Sequence, residues 1–293
     1  MKPELAYKGE NEVGEGPIWD SQKSELLWVD INKGVLHRLA LASGEVASLS
    51  IGCHLGAIGL YSENQYVAAV RDGFALIDRS NGSIEYLAKV LNDDGIRFND
   101  GKCDPRGRFL AGTMRFQPQP GTAALYSCDE TGLVTTLLEG VGLSNGLAWS
   151  QHGTSLFYID TLSREIAKFE YDLESPSLRN RAVHYRFGDS DGSPDGMTMD
   201  RDGNLWVALW GGGRVVVIDQ SGKLIEQILL PVSQVTSVTF GGANLDQLFI
   251  TSARIRLTAE ELAAQPLAGS LFVVDPGTSG FLEPRFGLGR GAE

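Results

Sequence analysis

An all-β, six-bladed β-propeller is the fold this sequence predicts, and three observations predict it. Six stretches repeat one plan: an apolar run ending near a small or acidic residue, a turn, a second apolar run, then Asp or Gly. The first runs begin near residues 26, 66, 108, 155, 204 and 247, a spacing of roughly 40 to 50 residues, the range of propeller blades. The runs are short and rich in Val, Ile, Leu, Phe, Trp and Tyr, and turn pairs such as Asp72-Gly73, Asn81-Gly82 and Asp202-Gly203 punctuate them.

The repeats can be taken in order. They read LLWVDINKGVLHRL (26–39), YVAAVRDGFALID (66–78), RFLAGTM with ALYSCDETG (108–132), SLFYIDTLSREIAKFEYD (155–172), NLWVALWGGGRVVVID (204–219) and QLFITSARI with SLFVVD (247–275). The 36 glycines suit many tight turns. Six blades consume residues 1–293 as a single domain with no linker. One helix is expected, within TAEELAAQ: Thr258 and Glu261 form a capping box, and Pro266 limits its end. A radial array of small sheets leaves a central channel, where polar residues from different blades can meet.

Composition narrows the function classes. Hydrophobic residues make up 42%, enough for a packed core. The net charge is −12 with no basic stripe, which argues against nucleic acid as a partner. The opening MKPELAYKGENEVGEGP has no apolar signal region, and no run reaches the length of a membrane span. The expectation is a soluble, cytoplasmic protein, monomeric or weakly dimeric, that engages neither membrane nor nucleic acid. Cys53, Cys103 and Cys128 are odd in number and widely spaced, so they read as reduced, with Cys128 in a strand.

Four segments hold polar residues that strand pairing does not explain: GEGPIWD (14–20), RFNDGK (97–102), GLSNGLAWS (142–150) and GSPDGMTMD (192–200). They read as loops, three of them leading directly into an apolar strand. Glu15, Asn145 and Asp195 hold the same place before three different blades, and Asn99 holds it in a fourth. Equivalent positions in a radial array converge on its axis. Two carboxylates and one or two carboxamides form an all-oxygen set that suits a hard cation such as Ca²⁺, Mg²⁺ or Mn²⁺. Each of these residues is also an ordinary turn former; their shared placement favours the site.

GEGPIWD, RFNDGKCDPRGRFLAGTM, LSNGLAWS, PDGMTMDRDGNLWVALWGGGRV and TSVTFGGANLDQLFITSAR, in order from Gly14 to about Asp275, together resemble the regucalcin (senescence marker protein) and gluconolactonase family. The resemblance implies a six-bladed propeller that hydrolyses sugar lactones with one divalent metal ion on its axis, Ca, Zn, Mn or Mg. It implies Glu15, Asn145 and Asp195 as metal ligands, Asp195 as catalytic acid and base, and Arg97 and Asn99 as substrate contacts. Vertebrate members carry a substrate-touching glutamate shortly after a Gly-Thr-Met motif. Here Met114 is followed by RFQPQPG, and Gln117 takes the matching position, which keeps hydrogen bonding without the charge. Arg97 read alone could equally pair with Asp94 or Asp100.

Other motifs weigh less. Gly142-Leu143-Ser144-Asn145-Gly146 matches the nucleophile-elbow pattern, but two strand-like runs follow it where an elbow needs a helix. DSDGSPDG (189–196) lacks the Gly and Glu of an EF-hand at the required places, with Pro194 and Asp200 there instead. His37, His152 and His184 show no metal spacing and read as structural, while His54 is a candidate pocket residue. Trp210 and the glycines after it are candidates for a pocket wall. Three rivals remain: a non-catalytic calcium-binding regulator, a related propeller esterase or phosphotriesterase, and a protein-docking scaffold. Arg97 among the site residues argues for the enzyme over a mere ion buffer.

Overall fold

The computed structural model describes residues 1–288. Twenty-four strands form six sheets of four antiparallel strands each. The innermost strands are Gly14–Asp20, Leu55–Leu60, Ile96–Cys103, Ser144–Trp149, Ser193–Met199 and Val235–Gly241. Each packs against the next around a closed ring, so the six-bladed propeller stands. Each repeat in fact begins one strand earlier than the apolar runs suggest. Those runs are the second and third strands of each blade, such as Glu25–Asp30 and Val35–Ala40. The four segments read as loops are the innermost strands themselves. The last blade takes its outermost strand from the other end of the chain: Glu4–Tyr7 pairs antiparallel with Leu271–Val274 and joins the two ends of the ring.

Burial explains why the second strands are the legible ones. Leu26, Leu27, Trp28 and Val29 are all fully buried, because a mid-blade strand is covered on both faces by neighbouring blades. Outermost strands such as Leu178–Arg186 and Leu224–Leu229 are largely exposed and carry charge, which discourages edge-to-edge pairing. The expected helix is present at Ala259–Ala264, with the Thr258–Glu261 capping box formed in both directions. All three cysteines are free, and Cys128 ends a strand. No helix among the described residues is long and apolar enough to cross a membrane.

Many of the acidic residues hold turns. Asp104, Asp129, Asp200 and Asp219 each accept hydrogen bonds from the backbone N–H groups two and four residues on. The glycine three residues on, Gly107, Gly132, Gly203 or Gly222, adopts a φ of 79–83° that closes each hairpin. Asp30 and Asp160, at the ends of second strands, instead accept from the two backbone amides that lead into their own blade's innermost strand.

Asp200 is fully buried and accepts from Asp202 N, Asn204 N, Asn204 Nδ2 and Trp206 Nε1. Asp200→Ala leaves these donors unmatched and should cost about 3 kcal/mol, read from the urea midpoint. A loss under about 0.5 kcal/mol would show that the turn is held some other way.

Candidate active site

The innermost strands share one irregularity. Pairing with the second strand slips between Glu15 and Ile18, Leu55 and Ala57, Phe98 and Gly101, Asn145 and Leu147, Pro194 and Met197, and Val235 and Ser237. A bulge frees one or two residues from the ladder and re-aims their side chains. Six bulges at equivalent places put Glu15, Asn99, Asn145 and Asp195 around one axis. In the other two blades the slipped residues are Gly56 and Thr236. Gly146 lets the ring close: a Cβ on it would lie 2.7 Å from the carbonyl oxygen of Asp195 in the next blade.

Four blades thus feed one polar floor. Glu15, Arg97, Asn99, Asn145 and Asp195 are only 3–7% exposed, and all five line one cavity of about 470 Å³, within the range of small-molecule sites, roughly 300–1,000 Å³. A hydrogen-bond relay orders them. Arg97 Nη1 donates to Asn99 Oδ1 at 2.8 Å and to Phe98 O at 2.9 Å. Asn99 Nδ2 donates to Ser144 O at 2.9 Å and to Asn145 Oδ1 at 3.1 Å. Asn145 Nδ2 donates to Thr161 Oγ1 at 2.8 Å, whose hydroxyl donates to Pro194 O, also at 2.8 Å. The relay fixes each amide by its neighbours and runs through three blades.

The carboxylates are under electrostatic tension. Burial, then the nearby Asp100, pushes Glu15 up to about 8. Burial, then Glu15, pushes Asp195 well above the usual carboxylate range. The two share a hydrogen bond, so without a cation they hold a proton between them at neutral pH. Asp100 lies further along the channel, where burial lifts it to about 6. Beyond it Lys102 pairs with Glu283 at 3.1 Å, and residues 281–284 lie across the ends of the innermost strands. Burial lowers Arg97 to about 10, still protonated at neutral pH. Arg97 forms no ion pair among the described residues. Asp94 pairs with Arg71 instead, which removes the loop salt bridge as its explanation, and Arg97 Nε is buried without a partner.

The donor set fits a hard cation. Glu15, Asn145 and Asp195 can each supply an oxygen donor, and burial leaves the two carboxylates holding between them a proton that a cation would displace. The described residues gather no cluster of three His, Cys, Asp or Glu side chains; the third donor here is an amide. Gln117 is exposed and outside the cavity lining, while Phe116 and Pro118 on either side of it do line the cavity. His54 packs edge-on against the Phe116 ring at 5.4 Å and does not itself line the cavity. Trp210 does. Thr161, Leu143, Leu162 and Arg256 line it as well; they stand in turns and connections without a motif, where sequence offers no signal.

Ser144 is fully buried, and its Oγ accepts the Tyr158 hydroxyl at 2.7 Å. It lies in a strand, with no helix following and no histidine beside it, so the nucleophile elbow is absent.

Known proteins of one family share this chain's sequence pattern and fold. Residues 13–254 match the family model described as SMP-30/Gluconolactonase/LRE-like region. A protein of Danio rerio named regucalcin is 40% identical over 277 residues, 94% of either chain. A Bacillus subtilis (strain 168) protein named "Putative sugar lactone lactonase YvrE" is 39% identical over 271 residues, 92% of this chain and 93% of that one. The solved structure of a calcium-binding protein, regucalcin, from Agrobacterium tumefaciens superposes with a TM-score of 0.93 at 28% identity, covering 98% of this chain and 97% of that one.

A fluorophosphonate probe should leave Ser144 unlabelled by intact-mass spectrometry; a stoichiometric adduct on that residue would show an exposed, activated serine.

Proposed function

Because the chain belongs to the SMP-30/gluconolactonase/LRE-like family, we propose that it hydrolyses sugar lactones to the open hydroxy acids with a divalent cation held by Glu15, Asn145 and Asp195. The observation that carries this reading is the buried floor itself: two carboxylates that retain a proton, an oriented amide, and an arginine with an unused donor, all facing one cavity of about 470 Å³. An ion buffer has no use for a cavity of that size or for a buried, unpaired Arg97. The name of the Bacillus relative supports the same chemistry, and the calcium-binding protein of Agrobacterium supports calcium as one candidate cation. Three free cysteines suit a reducing, cytoplasmic setting.

When bound, a divalent cation polarises a carbonyl oxygen and makes water a better nucleophile. The chain's own groups do the rest. Asp195 accepts the proton of the attacking water and returns it to the ring oxygen as the ester bond breaks, so the product is a single hydroxy acid. General-base help of this kind contributes about 10²–10⁴ in rate. Arg97 has Nε free to meet a substrate oxygen, and its planar fork suits adjacent hydroxyls or a developing negative charge. Asn99, held by Arg97 and by Asn145, presents its remaining capacity to the same substrate. Gln117 stands outside the lining, so Arg97 and Asn99 carry the polar contacts in this reading.

The cavity walls favour a second reading in one respect. Met114, Phe116, Leu143, Leu162, Trp210 and Ile255 make them largely apolar, which would also suit less polar esters or phosphotriesters. The test is acid release from a panel of aldonolactones, simple esters and a phosphotriester. It is run on chelator-stripped protein resupplied with Ca²⁺, Mg²⁺, Mn²⁺ or Zn²⁺. Lactone opening restored by cation is expected; turnover confined to the esters would move the assignment.

Asp195→Ala should lower kcat for the lactone by at least about 10²-fold, the lower end of a general-base contribution, and weaken cation binding; normal turnover would remove Asp195 from the mechanism. Protons compete with the cation for Glu15 and Asp195. The rise in Tm on adding cation should therefore grow as pH increases through about 8, the region in which Glu15 ionises. A cation-induced shift independent of pH between 6 and 9 would contradict this.

A further inference from the structure

Arg256 stands in the connection that follows strand Gln247–Ser252 and lines the cavity beside Arg97, Asp195 and Glu15. Three observations set it apart. Its backbone has a φ of +67°, a left-handed conformation that glycine adopts freely and a residue bearing a side chain adopts at a cost. Outliers of this kind persist where the surrounding structure imposes them, and they cluster at ligand sites. Its guanidinium forms no ion pair among the described residues, whereas Arg254, two positions earlier, is paired with Glu10 at 3.1 Å. Its charge is felt at Arg97, so two cations face one small volume in a chain of net charge −12.

The charge balance then points to the ligand. The charged residues lining the cavity are Glu15, Asp195, Arg97 and Arg256. On the proposed function, the two carboxylates are matched by a divalent cation. The arginines are then left with two positive charges and no acid of the protein among the lining residues. Arg97 sits on the floor with the reacting groups, while Arg256 is exposed and reaches the cavity from a surface connection.

Resting on the lactonase reading, we propose that the preferred lactone carries a second, anionic group remote from its ring carbonyl, a carboxylate or a phosphate, and that Arg256 binds it. Arg256 is thus a specificity residue. A guanidinium matches either anion through two parallel hydrogen bonds, and such charge-assisted pairs are stronger than neutral ones.

The test compares kcat/KM for three related lactones on the cation-loaded protein: gluconolactone, a glucarolactone with a free carboxylate, and 6-phosphogluconolactone. One of the two anionic substrates should exceed the neutral one by about tenfold or more, and which one identifies the anion. Arg256→Gly suits the local φ and should fold with an undiminished Tm. It should reduce that ratio to within about threefold, chiefly through a higher KM for the anionic lactone. Arg256→Lys should keep part of the preference, and higher ionic strength should erode it. Equal kcat/KM for all three lactones in the parent protein, or a ratio unchanged in a folded Arg256→Gly variant, would overturn the proposal and leave the lactonase reading standing. If the parent opens no lactone, calorimetry with gluconate, glucarate and 6-phosphogluconate separates the two ideas. Tighter binding of a dianion that Arg256→Gly abolishes would keep the anion site and sink the lactonase; equal binding of all three acids would overturn the anion site as well.

Discussion

Two buried carboxylates from different blades share a proton at the axis of the ring, and the surrounding structure is arranged to hold them there. Glu15 and Asp195 belong to blades one and five, far apart in sequence, and the closed ring of innermost strands makes them neighbours. Burial alone would leave such a pair neutral and inert. Positive charge placed between them ionises both, and that is what makes the site receptive to a divalent cation. On the proposed function a cation would meet a site already ordered, because Asn145 is oriented by Asn99 and Thr161.

The scaffold serves this arrangement through repeated local devices. Bulges at equivalent places lie at or directly after the site residues, leaving Asn99 and Asp195 off the ladder and Glu15 and Asn145 as the last paired residues before the slip, while the same strands continue into the apolar core. Gly146 permits the close approach of neighbouring innermost strands. Aspartates close the outer hairpins and tie approach segments to second strands, which consumes acidic residues that composition alone would assign to a solvated surface. The N-terminal strand Glu4–Tyr7 completes the last blade. Without it Leu271–Val274 would be an unprotected apolar edge in the ring that positions every site residue.

The periodic part of this design was legible in the sequence. Second strands announce themselves because both of their faces are buried, as with Leu26 to Val29, third strands keep a shorter apolar pattern, and the Asp-Gly and Asn-Gly turns follow from backbone chemistry. The innermost strands were misread as loops for a physical reason. A bulge interrupts each of them within its first few residues, where polar and glycine residues line the channel, so GEGPIWD and GSPDGMTMD carry turn composition inside a strand. Glu15, Asn99, Asn145 and Asp195 are nonetheless suggested by their common place in the repeat and Arg97 by the family resemblance, and all five line one cavity. Gln117, placed by resemblance alone, is exposed and is not among the residues lining the cavity. The cavity walls were not legible. Thr161, Leu162 and Arg256 come from connections that share no repeat position, and only the closed ring brings them together.

What separates a cation-assisted hydrolase from an inert propeller is whether a divalent ion occupies the Glu15–Asn145–Asp195 triangle in working protein. Anomalous diffraction at the manganese edge, from crystals equilibrated with Mn²⁺, measures this directly. A single strong peak within bonding distance of all three side chains is expected, absent from crystals of Asp195→Ala. No peak at these residues, in protein that opens lactones at full rate in chelator, would contradict the central claim.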